Sequence, residues 1–211
     1  MREPQYTLVT HYLRRSRVAS ICAGRAEAQA FAIEHFHEIH MLSFLFPRLT
    51  PQRNRGAALF KALVGEARQP HWYVEGQVPD TIDGRFAVLA TIVALATIRL
   101  ERGGDLARTA TVALTERFVE AMDAEHRQMG IGDPTVGKTV RKLVGALDRR
   151  VGLWRPTLDG GGDWDHALQV SLFRDVPSPA KALKHCEAAL RSVWARLEAA
   201  SDADLAEGRF E

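Results

Sequence analysis

The sequence predicts an all-α fold: a single bundle of six or seven helices joined by long loops. Three observations carry this. Apolar residues recur at the 3.6-residue period of a helix over most of the chain from about residue 54. The junctions between these stretches carry Gly, Pro and Asp where helices stop and start. Nowhere do apolar and polar residues alternate as in a half-buried strand, and no segment repeats at a fixed period.

Taken in order, residues 54–68 place Leu59, Phe60, Leu63, Val64 and Ala67 on one helical face and stop before Pro70, which cannot continue a helix. Residues 71–83 form a loop whose Gly76, Pro79, Asp80 and Asp83 are turn formers and caps; at thirteen residues it is long enough to suggest function. Residues 84–102 are apolar nearly all round (Phe86, Val88, Leu89, Ile92, Val93, Leu95, Leu100), so this helix should lie at the bundle's centre. Gly103-Gly104-Asp105 ends it and caps the next, whose stripe of Leu106, Ala110, Leu114, Phe118 and Met122 runs to about residue 129.

Gly130-Ile-Gly132-Asp133-Pro134 reads as a tight turn, with Asp133 as N-cap and Pro134 at the first helical position. The helix that follows carries Val136, Val140, Leu143, Val144 and Leu147 and should break at residues 156–162, between Pro156 and a run of glycines. Residues 164–173 form a shorter helix. Ser178-Pro179 then reads as a cap followed by a helix-starting proline before Leu183, Cys186, Leu190, Val193, Trp194 and Leu197. Ser201 to Asp204 resembles a capping box, with Asp in place of Glu, opening a last short turn.

The chain of 211 residues, 46% apolar and 26% charged, is too short for two large domains and too apolar for bulk disorder. Its 28 basic and 26 acidic side chains leave a formal net charge of +2, which argues against a DNA-binding protein. The cysteines, Cys22 and Cys186, are too few for a disulfide framework or a cysteine metal site, which points to the reduced cytoplasm. The longest uncharged helical stretch, residues 86–98, falls short of the roughly 20 residues that span a bilayer.

Residues 1–40 read as an N-terminal appendage to a domain over residues 41–211. Up to Arg25 there are five arginines (Arg2, Arg14, Arg15, Arg17, Arg25) against one acid, Glu3, the composition of an organelle transit peptide; Glu27, Glu34 and Glu38 then bring the segment close to neutrality. A further reading takes Met41 as the true start, opening the apolar run Met41-Leu-Ser-Phe-Leu-Phe-Pro-Arg-Leu49. His35, His37 and His40 form an H-x-H-x-x-H cluster, but only His37 and His40 share a helical face, so no metal site is expected there.

Gly132-Asp-Pro-Thr-Val-Gly137-Lys138-Thr139 fits G-x-x-x-x-G-K-[ST], the phosphate-cradling loop of nucleotide hydrolases. That loop needs a buried strand before it and free backbone amides. Here an amphipathic, charged helix precedes the motif, and Pro134 removes one of those amides, so a helix cap is the preferred reading. His71, His126, His166 and His185 are scattered and none stands in a recognisable nucleophile setting, so no catalytic residue and no cofactor is expected.

Two segments carry more information. Ala67-Arg68-Gln-Pro70-His-Trp72-Tyr73-Val-Glu-Gly76-Gln-Val78-Pro79-Asp80-Thr81-Ile-Asp83-Gly84-Arg85-Phe86 is followed about forty residues later by Met122-Asp123-Ala-Glu-His-Arg127-Gln-Met129-Gly130-Ile-Gly132-Asp133-Pro-Thr-Val136-Gly-Lys138-Thr-Val140. Together they resemble the ubiquinol–cytochrome c chaperone family, assembly factors for the respiratory cytochrome bc complex. The resemblance is good from about residue 61 to 154 and weaker to the end, where Asp204-Leu-Ala-Glu-Gly208-Arg-Phe210 resembles the family's tail. The chain departs from the family pattern at Leu147-Asp148-Arg149-Arg150, where an aromatic-Gly-Arg stretch is common, and at Ala90-Thr91, where a His is usual.

The resemblance implies a non-enzymatic chaperone that binds newly made cytochrome b, with a small co-chaperone or the ribosome as further partners. It implies a cytoplasmic protein in peripheral contact with the inner face of the cytoplasmic membrane, or with the matrix side in a mitochondrion. The partner-binding candidates are Trp72, Tyr73, Pro79, Asp80, Arg85, Asp123, Arg127, Gly130, Gly132, Asp133 and Lys138. Structural readings stand beside this one: Trp72 and Tyr73 covering the bundle's end, Arg85 pairing with Asp80 or Asp83, Asp123 pairing with Arg127 one turn on, and Asp133 capping. The competing functions are a nucleotide hydrolase using residues 132–139 and a helical RNA- or ribosome-binding module using the arginines.

Overall fold

The structure, a computed structural model, describes residues 56–128, 136–174 and 176–210, with no side chain described at 123, 125–128 or 136–141. The segment 1–40 with its three clustered histidines, Met41, and the turn 130–134 lie outside the described residues. The described helices belong to one compact unit, Asn54–Glu211. They are α1 (Ala57–Ala67), α2 (Ile82–Glu101), α3 (Asp105–Gln128), α4 (Val136–Leu158), α5 (Trp164–Leu172), α6 (Ala180–Ala199) and α7 (Asp202–Ala206), with a 3₁₀ turn at Pro70–Trp72 and no strand among the described residues.

α2 is the axis of the bundle because its sequence leaves it no polar face. Every residue from Ala87 to Ile98 is buried, and α1, α3, α4, α5 and α6 pack around it. Within this buried stretch the polar residues are Thr91 and Thr97, and Thr91 Oγ1 donates to the Ala87 carbonyl one turn back at 2.8 Å. The surrounding helices contribute Leu59 and Leu63 from α1, Leu114 and Phe118 from α3, Trp154 from α4, and Leu190 and Leu197 from α6, all with no solvent exposure.

Three junctions differ from the sequence expectation. α2 begins at Ile82, inside the expected loop, because Thr81 is its N-cap; the Thr81 hydroxyl accepts from the Gly84 N–H at 3.1 Å, which frees Asp83 for another partner. α4 does not break at Pro156 but runs through it to Leu158. The proline forfeits one hydrogen bond near the helix end, while Trp154 just before it is fully buried with its ring edge-on to Trp164, centroids 5.2 Å apart. The packing of that tryptophan outweighs the local cost. Ser178 does not cap α6: Pro179 occupies the N-cap position, and the Ser178 hydroxyl donates back to the Val176 carbonyl at 3.2 Å.

α7 does open with the expected cap. The Ser201 hydroxyl accepts from the Asp204 N–H at 3.1 Å and donates to the Asp204 carboxylate at 2.6 Å. Asp202 then ties this end of the chain to the α2–α3 turn, accepting from the Gly104 N–H at 2.9 Å and from Arg99 at 3.0 Å. The Gly104 amide, with Arg99 beside it, holds the Asp202 carboxyl below the usual carboxylate range. A native value below the unfolded one means this clip stabilises the fold fully above the ordinary aspartate pKa of about 3.9 and loses that contribution as pH falls through the lowered native value. Asp202→Asn is therefore expected to lower the urea midpoint at neutral pH, and the gap to the unaltered protein should close below about pH 4; urea titrations at several pH values check this.

Candidate functional site

The loop between α1 and α2 is a built structure. Trp72 has no exposed surface and its indole N–H donates to the Glu66 carbonyl at 3.0 Å, while the Tyr73 hydroxyl donates to the Ala67 carbonyl at 2.8 Å. Both aromatics thus satisfy carbonyls that the end of α1 leaves without helical partners. The chain then turns back on itself, with the Val78 N–H donating to the Trp72 carbonyl at 3.1 Å and Val78 buried. Gly76 sits against α6, where the Cys186 thiol donates to its carbonyl at 3.6 Å; a Cβ on Gly76 would stand 2.6 Å from the Trp72 carbonyl oxygen and 2.8 Å from the Cys186 sulfur. Burial pushes the Cys186 thiol up to about 12, so it serves as a donor and not as a thiolate.

Beyond this anchor the loop presents polar groups and small apolar surfaces. Arg85 Nε donates to Asp80 at 2.6 Å, and the Arg85 guanidinium lies 5.9 Å from the centre of the Tyr73 ring. The hydrogen bond from Arg85 holds the Asp80 carboxyl below its ordinary value, while burial pushes the Tyr73 hydroxyl up. Facing this corner is the α5–α6 connection. Arg174 reaches across to Asp83 at 2.6 Å, and Gln77 and Arg174 both hold left-handed backbone conformations, φ +51° and +55°.

Between the two segments lies a groove of about 530 Å³, walled by Pro79, Thr81 and Gly84 on one side and by Phe173, Val176 and Pro179 on the other. Val176, which lines it, is 63% exposed; Ile82, between the lining residues Thr81 and Asp83, is 56% exposed. Behind it, Arg150 packs over the Phe86 ring and donates to the Ser171 carbonyl at 3.2 Å, bracing α4 against α5. Burial brings Arg150 down to about 10, with the charges of Arg149 and Arg174 acting in the same direction.

Among the sequence-predicted residues, the structure brings Tyr73, Pro79, Asp80 and Arg85 together at this corner. Trp72 is beneath it, in the core. Asp123 and Arg127 lie on α3 and Lys138 on α4, with side chains outside the described residues, as are Gly130, Gly132 and Asp133 altogether. The element ahead of the G-x-x-x-x-G-K-T pattern is α3, a helix of 24 residues, where a phosphate loop has a strand. The far wall of the groove, residues 172–179, escaped the sequence reading; an exposed apolar valine beside Pro177 and Pro179 in a helix junction was its only signal.

The sequence profile of the ubiquinol-cytochrome C chaperone family matches residues 74–211, well over half of the chain. The chain belongs to this family. The match takes in both walls of the groove and begins just after Trp72 and Tyr73. The crystal structure of the Cbp3 homolog from Brucella abortus is similar to it, with a TM-score of 0.64 and 25% sequence identity over 85% of this chain and 95% of that one. No curated protein matches. A role as a ubiquinol–cytochrome c chaperone accordingly rests on sequence profile and fold together. Among the described residues no helix is long and apolar enough to cross a membrane.

Proposed function

We propose that this family member acts without catalysis, binding newly made cytochrome b and holding it for assembly of the bc complex, in peripheral contact with the membrane that carries its client. The observation that carries the reading is the groove between residues 77–84 and 172–179, an apolar cleft lined in part by exposed Val176, with Ile82 exposed beside its wall residues Thr81 and Asp83, on a chaperone-family fold. A client that is a membrane polypeptide offers apolar side chains to such a cleft, and the flanking Arg85–Asp80 and Arg174–Asp83 pairs leave the rim without a large net charge.

The test is co-purification from detergent-solubilised membranes. The unaltered chain is expected to bring down cytochrome b, and the double variant Ile82→Asp, Val176→Asp to lose most of it. Both positions are exposed, so stability should stay within about 0.5 kcal/mol of the parent. Cytochrome b recovered equally with both proteins would remove the groove from the reading. Its absence even with the unaltered chain would remove the client.

A further inference from the structure

The 3₁₀ turn meets α6 through two histidines. His71 Nδ1 and His185 Nε2 face each other at 3.1 Å, with ring centroids 5.3 Å apart and the planes inclined at 62°. We propose that this pair is a binding site for a divalent first-row transition ion such as Zn²⁺, held by His71 Nδ1 and His185 Nε2, and that the bound ion clamps the α1–α2 loop to α6.

The geometry is close to what such an ion requires. Two imidazole nitrogens bound tetrahedrally to zinc at about 2.0–2.1 Å stand roughly 3.3 Å apart, so a small rotation of either ring admits the ion. In its absence the two nitrogens share a single proton, one donating and the other accepting; with the His71 proton on its far nitrogen the shared proton is that of His185, and the ion displaces it to His185 Nδ1 as that ring changes tautomer, so both rings ligate as neutral imidazoles. His71 is further prepared on its other edge. Its Nε2 lies 4.0 Å from the Glu66 carboxylate, which Arg196 holds in place at 2.7 Å. At 4.0 Å the carboxylate makes no hydrogen bond to that nitrogen, but its charge favours a proton there, which leaves the lone pair on the near nitrogen.

The surroundings favour the neutral, ligating form. Burial, and then the neighbouring His185, bring the His71 pKa below its usual value, with Arg196 acting the same way and Glu66 and Glu75 opposing. The His71 side chain remains about a third exposed, which leaves an entry path from solvent. No group of three or more His, Cys, Asp or Glu side chains converges among the described residues. Water therefore completes the coordination, and the site is an exchangeable one, unlike a closed structural zinc centre.

The ion would join residues 114 positions apart at the point where the loop is already seated by the Cys186 thiol and the Gly76 carbonyl. Imidazole ligands suit Zn²⁺, Ni²⁺ and Cu²⁺, with copper the tightest binder in the Irving–Williams order.

The test uses the full chain carrying His35→Gln, His37→Gln and His40→Gln, so that the sequence cluster H-x-H-x-x-H does not compete. Calorimetric titration with ZnCl₂ at pH 7.5 is expected to show one equivalent bound, and adding either His71→Gln or His185→Gln should abolish it while the circular dichroism stays helical. With the pair intact, one equivalent of paramagnetic Co²⁺ should broaden the His71 and His185 ring resonances before those of His11, His126 and His166. No stoichiometric Zn²⁺ binding, binding indifferent to both substitutions, or equal broadening of all five remaining histidines would each overturn the proposal. The Co²⁺ measurement decides alone if a substituted chain does not fold.

Discussion

Trp72→Ala is expected to lower the free energy of unfolding by about 3–5 kcal/mol, the largest loss of any single truncation in the α1–α2 loop. The side chain is among the largest that are fully buried, so its removal combines lost transfer free energy with a cavity that the surrounding helices cannot fill. It also removes the indole N–H bond to the Glu66 carbonyl at 3.0 Å, leaving that carbonyl the Gln69 N–H at 3.1 Å. Domains of this size have about 5–15 kcal/mol in total, so the variant should stand close to unfolding at physiological temperature. The measurement is urea denaturation, with a lowered midpoint and an unchanged slope. Trp72→Phe should retain more than half of the lost stability, because it keeps an aromatic ring while still giving up the N–H. A midpoint unmoved by Trp72→Ala would mean that the indole is not in the core.

That result would also separate two neighbours that the sequence presents as equals. Trp72 and Tyr73 are adjacent aromatics in a loop rich in turn formers, and nothing in the local pattern says which of them faces inward. The 3₁₀ turn beginning at Pro70 decides it, sending the indole into the core and leaving the phenol half-buried beneath Arg85. α2, by contrast, was legible as the central helix, since an element apolar in every direction has no other place in a bundle.

The corner formed by Pro79, Asp80 and Arg85 was legible too, because all three fall within a few residues of one helix start. Its other half was not. The Arg174–Asp83 pair spans 91 positions, and a contact made only by the packing of α5 against α2 leaves no periodic trace in the chain. Pro156 misled for the opposite reason. The local rule against proline in a helix is sound, but it takes no account of how firmly Trp154 is buried.

The glycines supply the second large effect, and here the sign depends on what surrounds each one. Gly152 on α4 and Gly65 on α1 face open space, with nothing within 4 Å of where a Cβ would stand. Substituting Ala there should stabilise the protein by up to about 1 kcal/mol, the helix-propensity difference between the two residues. Gly84 in the first turn of α2 should behave in the opposite way. A Cβ there would run into the Pro79 carbonyl oxygen and carbon, backbone atoms with no flexible side chain to yield.

To relieve that clash the 79–81 turn must move away from α2. The Gly84 N–H would then lose the Thr81 hydroxyl that caps the helix, and Pro79 and Thr81 would leave the wall of the groove. Overpacking of about 1–3 kcal/mol and a lost cap of about 1 kcal/mol exceed the propensity gain of about 1 kcal/mol, so a net loss of about 1–3 kcal/mol is expected for Gly84→Ala. Because the displaced turn is one wall of the proposed client groove, cytochrome b co-purification should fall further with Gly84→Ala than with a stability-matched core variant such as Leu63→Val. Thermal melts of Gly84→Ala and Gly152→Ala side by side give the check: the midpoints should move in opposite directions. Equal increases would show that the Pro79 carbonyl is not seated against α2, and with it the groove would lose its wall.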